Sequence, residues 1–148
     1  RQEEMSVAAL EAGIAINNAS VTIVHGMSRP IGANFHVAHG ISNAMLLEKC
    51  MAFALDGAYD RFADLGRATG TADASDDDKT AAKKFLAGLG DICRVCEVPT
   101  LEEYGIDKEK FFSLADKMAD DALASGSPGN TIKKVTKQEV LDIYFQLW

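Results

Sequence analysis

From Met5 onward the apolar and small residues Ala8, Ala9, Ala12, Ile16, Ala19 and Ile23 return at three- and four-residue steps, the mark of one buried helical face. Most of them are small. With Gly13 they would let another helix approach closely, so the pattern predicts a central, deeply packed helix running to about Met27. The β-branched run from Val21 to Val24 also fits a short strand, because periodicity does not separate a brief buried strand from buried helix. Pro30, Gly32 and Gly40 then punctuate the chain: proline lacks an amide donor and glycine tolerates unusual backbone angles. Residues 29–40 therefore read as irregular or only briefly helical.

Helical spacing resumes at Ile41, Ala44, Met45, Leu47 and Met51, and a further helix is predicted over Tyr59 to Thr69, closed by Gly70. Thr71 to Asp78 is a polar linker whose acidic end caps the next helix, since carboxylates satisfy free amide donors there. That helix is expected to turn Phe85, Leu86, Leu89, Ile92, Cys93 and Cys96 inward. After Pro99 the residues Phe111, Leu114, Ala115, Met118 and Ala122 mark another amphipathic helix, ending near Ser125-Gly126. Thr136 with Glu139 forms a capping box, and Val140, Ile143, Tyr144 and Leu147 share one face after it. No run alternates long enough to be a convincing strand. The predicted class is all-α, one bundle-like helical domain of five or six helices over residues 1–148.

Charge narrows the partners. Fifteen basic against 22 acidic side chains give a formal charge of −7, a field that repels phosphate backbones and anionic lipid. Neither nucleic acid nor membrane is expected, and no apolar run approaches the roughly 20 residues of a membrane span. Glu3 and Glu4 do not suit the basic start of a signal peptide, and the expected compartment is the cytoplasm. Three cysteines, Cys50, Cys93 and Cys96, make an odd set that favours reduced thiols. The helical pattern opens without a methionine or capping residue ahead of Arg1, so the chain is expected to be a fragment.

Several motifs fall to plainer readings. Cys93-Arg-Val-Cys96 has the spacing of half a zinc site or a dithiol motif, but no second pair or nearby histidine completes it, and core packing is expected. The acidic run Asp73 to Asp78 lacks the glycine and glutamate of a calcium loop and reads as solvated linker. Gly126-Ser-Pro-Gly129 falls one residue short of a nucleophile elbow. No glycine-rich nucleotide-binding turn is present. The informative stretch runs from His25 to Leu47, because all three histidines, His25, His36 and His39, fall within fifteen residues. Neutral imidazole is a common ligand for iron and zinc, although buried imidazoles often just find ordinary hydrogen-bond partners.

This stretch, His25-Gly-Met, Pro30, Ile31-Gly and His39-Gly, resembles the signature of the iron-containing, metal-dependent alcohol dehydrogenases. Similarity extends upstream through Ala12 to Ser20 and downstream through Val98-Pro-Thr-Leu, Tyr104-Gly, Asp121 to Pro128 and the ending Thr136 to Trp148. The resemblance implies the C-terminal part of a dehydroquinate synthase-like helical domain, whose partner is an N-terminal domain that binds NAD or NADP. It implies a cleft holding Fe²⁺, sometimes Zn²⁺, on one aspartate and three histidines, of which His25 and His39 match the last two. The resemblance places the other two on a helix upstream of Arg1. Arg29 stands where many members carry a proton-relay histidine, and His36 falls toward the substrate cleft. Ala38 and Glu48 replace two usual prolines, a change expected to loosen the loop.

The function these residues imply is the metal-binding helical domain of an NAD(P)-dependent alcohol dehydrogenase, inactive as an isolated chain. The alternative is a stand-alone helical protein that serves association, its metal site degenerate. Either way a homo-oligomer is expected, because without a neighbouring domain and upstream helices apolar faces would be uncovered, including part of the small-residue helix.

Overall fold

The computed structural model describes residues 1–148 and contains helices and turns with no strand, as the pattern predicts. Seven α-helices form, one or two more than expected: α1 (Gln2–Ala19), α2 (Ile23–Phe35), α3 (His39–Ala54), α4 (Tyr59–Ala68), α5 (Asp78–Val95), α6 (Lys108–Ala124) and α7 (Lys137–Phe145). Two 3-10 turns, Leu55–Gly57 and Ser127–Asn130, link them.

The extra helix arises at the start of the chain. The single helix expected to run to Met27 breaks after Ala19, where Ser20 takes φ 65°, and α2 leaves at 106° to α1. Val21 and Thr22 form the joint, so the strand alternative for Val21 to Val24 is not realised. Helix α1 is also not deeply packed. None of its residues is buried, and Met5, Val7, Leu10, Ile14 and Ile16 are all exposed. Its small face is real, but no element of these 148 residues lies along it.

Burial instead centres on α2. Ile23, Met27 and Ile31 are fully buried, and α3, α6 and the Ser127–Asn130 turn pack around them. Pro30 stands inside this helix rather than ending it, so most of residues 29–40 is helical. An interior proline costs about 3 kcal/mol. Burying Ile23, Met27 and Ile31 returns roughly 1.5–3 kcal/mol for each side chain, which outweighs that cost. His36, in the left-handed region at φ 56°, finally stops the helix.

Two long-range bonds fix α2 in place. The Ile23 amide donates to Thr131 Oγ1 at 3.1 Å, capping the helix from the far end of the chain. The Tyr144 hydroxyl donates to the Met27 carbonyl at 2.8 Å, and burial raises that phenol well above its ordinary range. Phe111 is the aromatic hub beside it, in contact with Phe35, Tyr144 and Trp148 at centroid separations of 5.5, 5.7 and 5.7 Å.

The remaining helices follow their local signals. Asp77 caps α5 by accepting from the Thr80 amide, Asp107 caps α6 from Lys110, and Thr136 with Glu139 completes the capping box of α7. Helices α4 and α5 pack against each other so closely that a Cβ on Gly66 would sit 2.8 Å from the Ala81 carbonyl. The acidic linker is neutralised by its own neighbours, with Asp76 paired to Lys84 and Asp78 to Arg67. One prediction for α5 needs correction. Phe85, Leu86, Leu89 and Cys93 are partly buried, but Ile92 and Cys96 are exposed, because the last turns of α5 extend past the helices that cover its start. Cys96 is therefore not core packing, and Cys50 is the one buried thiol, its pKa pushed up to about 12 by desolvation.

The tightest approach in the core is Gly26 on α2, where a Cβ would meet the Pro128 ring at 2.7 Å. Gly26→Ala should therefore destabilise the fold by about 1–3 kcal/mol, read as a lower urea midpoint at unchanged slope.

Candidate metal centre

The two family-pattern histidines come together. His25 lies in the first turn of α2 and His39 opens α3, and residues 36–38 turn the chain back so that the two helix starts adjoin. Their ring centroids are 5.3 Å apart with planes at 59°. Both Nε2 atoms face the same group, the Asn43 side-chain amide, whose nitrogen is 3.4 Å from His25 and 3.1 Å from His39. Asn43 is one helical turn beyond His39, which brings it over the same face. The sequence reading did not single it out, although its four-residue spacing from His39 was available as a signal.

Burial is the main cause that lowers the His25 pKa, followed by the neighbouring His39 and by the Arg29 guanidinium. All three favour the neutral ring, the form able to ligate a metal. Arg29 itself is exposed and donates from Nη1 to the buried Ser127 hydroxyl at 3.1 Å, which ties α2 to the turn carrying Pro128. Ala38, the residue before His39, has φ −57°, the angle a proline would impose.

His36 does not join the pair. It is exposed, its left-handed backbone ends α2, and it does not line the open hollow of about 480 Å³ beside the site. That hollow has His25, Asn43, Leu47 and Met51 on its wall, together with Ile16 and Val24.

As a donor set the site offers two imidazole nitrogens directed at one place, and the orphaned, buried Oδ1 of Asn43 lies beside them. These groups fit a divalent transition metal in chemistry. They do not complete its shell, since no cluster of three or more His, Cys, Asp or Glu side chains occurs in the chain.

Comparison with known proteins places this geometry. Residues 1–148 match the model of the Fe-containing alcohol dehydrogenase family, C-terminal, and the chain belongs to that family. It is 27% identical to the lactaldehyde reductase of Escherichia coli strain K12 over 99% of its own length and 37% of that protein. It is 30% identical to the 1,3-propanediol dehydrogenase of Klebsiella pneumoniae, covering 98% of this chain and 37% of the relative. The crystal structure of a 1,3-propanediol oxidoreductase superposes with a TM-score of 0.89 at 28% identity, over 97% of this chain and 37% of that one. The chain thus spans little more than a third of the length of the relatives it matches.

The lowered His25 pKa has a consequence for stability. An unfolded histidine gains its proton near pH 6.5, whereas the folded ring resists it, so stability should fall as pH drops below about 6.5. A His25→Asn variant should show a shallower acid limb in denaturant titrations across that window.

Proposed function

We propose that this chain is the metal-holding helical part of an NAD(P)-dependent alcohol dehydrogenase, in which His25 and His39 provide two of the ligands to Fe²⁺ or Zn²⁺. The observation that carries the reading is the convergence of the two Nε2 atoms on one amide. Membership of the Fe-containing family supports it. A cation held there supplies Lewis-acid polarisation of a substrate oxygen.

The chain's own residues have separable tasks. His25 and His39 orient the site from two helix starts, and Val24, Leu47 and Met51 give the adjoining open hollow an apolar wall. Arg29 takes the position where the family resemblance expects a proton-relay group, and there its guanidinium donates to Ser127. His36, at the exposed helix end, has the weaker claim to line a substrate path. The remaining ligands and the nicotinamide-binding domain are partners contributed from outside these residues, and without that domain no alignment of reactants is available.

Two imidazoles alone leave most of the coordination shell to water, and the Arg29 charge opposes a cation. Zinc titration of the chain followed by calorimetry should give weak binding that His39→Ala abolishes. Tight binding at one metal per chain, or weak binding indifferent to His39→Ala, overturns the ligand assignment. Purified chain given NAD or NADP, Fe²⁺ and an alcohol should form no reduced nicotinamide.

A second reading, a helical association protein with a degenerate metal site, draws on the wholly exposed α1. Its uncovered Leu10, Ile14 and Ile16 favour pairing with a further helix or a second copy. Sedimentation at rising concentration should show self-association, and a Leu10→Glu/Ile14→Glu double variant should suppress it.

A further inference from the structure

The Nε2 atoms of His25 and His39 face one point, and lone pairs on both would repel each other unless positive charge lay between them. In this chain the partial positive charge of the Asn43 amide hydrogens lies there, with the amide nitrogen at 3.1 and 3.4 Å from the two ring nitrogens. Its NH₂ group has two hydrogens, one for each ring. The opposite orientation would let the amide oxygen accept from two Nε2–H groups. The structure instead places the nitrogen between the rings and leaves Oδ1 buried where no donor of the protein reaches it. An under-used carbonyl oxygen is the cheaper of the two buried groups to leave unpaired, so we take the amide nitrogen to lie between the rings.

We infer that Asn43 is a positioning residue that sets the tautomer of both His25 and His39, holding each ring as Nδ1–H with its Nε2 lone pair free and convergent. The inference rests on the ligand reading given above for its purpose. It does not need a metal for its test. Asn43 acts through the histidines in the way second-shell partners fix ligating imidazoles, except that it reaches the ligating nitrogen itself and must yield that place when a cation enters. The pair is thereby prepared before any metal arrives, with its lone pairs directed and its protons on the far side of each ring.

The test is long-range ¹⁵N–¹H NMR of the metal-free chain, well above the ordinary imidazole value of about 6.5, so that both rings are neutral. Wild type should show Nδ1–H tautomers at His25 and His39. Asn43→Leu, similar in shape but without donors, should move both rings toward the Nε2–H form that predominates in free histidine. Asn43→Asp offers only acceptors and should drive both to Nε2–H more completely. Helical circular dichroism checks that each variant is folded, and His36 serves as the internal control whose tautomer should not move. Unchanged tautomers in both variants overturn the inference, and so do Nε2–H rings in the wild type. Zinc titration separates the two claims: intact wild-type tautomers with no zinc response sink the ligand reading and leave the role of Asn43 standing.

Discussion

The close seating of α2 against its neighbours governs the rest of this structure. Gly26 has no side chain because the Pro128 ring occupies that space, and Ile23, Met27 and Ile31 fill the interior on the same helix. Packing at that density leaves α2 one position and one rotation. It also explains why proline is tolerated at position 30, since the lost backbone bond is small beside the apolar surface that the helix removes from water.

The histidine pair takes its placement from that seating. His25 projects from the first turn of a buried helix, so its ring is aimed by core packing rather than by loop conformation. His39 is placed by α3, which packs along α2 through Leu46 and Cys50, the latter with its thiol 3.9 Å from the Met27 sulfur. Arg29 comes off the exposed side of α2 and reaches the same turn that carries Pro128. Two imidazoles and a guanidinium are thus indexed to one rigid body, the arrangement that a site requiring sub-ångström placement needs.

The sequence was most legible where local chemistry decides the outcome. Asp77, Asp107 and Thr136 each cap the helix that follows them, and the faces of α6 and α7 match their apolar spacing. It was least legible where distant packing overrides local preference. Pro30 reads as a breaker but is held in helix by contacts from α3 and α6, and nothing local marks those contacts. The spacing of α1 predicts a deeply packed helix, yet none of its residues is buried, because spacing does not say whether a partner is present. Ile92 and Cys96 keep the spacing of an inward face although α5 has by then run past its cover. At the site, the pairing of His25 with His39 came from the family pattern, because three histidines in a row of loops and helix ends have no geometry of their own. Asn43 escaped notice because an asparagine carries no charge and ligates no metal in most sites, and only the three-dimensional placement of its amide gives it meaning.

The cap on α2 has an implication for how the chain acquires its site. The Ile23 amide is bonded to Thr131, 108 residues away, and the Met27 carbonyl to Tyr144, 117 residues away. Contacts of such sequence separation close late, after local helices have formed and the intervening loop entropy has been overcome. During synthesis the segment bearing His25 and His39 leaves the ribosome long before Thr131 and Tyr144 do. Until they arrive, the histidines belong to a helix whose start is uncapped and whose rotation is not yet set. The convergence of the two histidines is therefore acquired in one late step, when the last elements of the chain dock, and a nascent chain stopped short of Thr131 carries both histidines without the geometry that joins them.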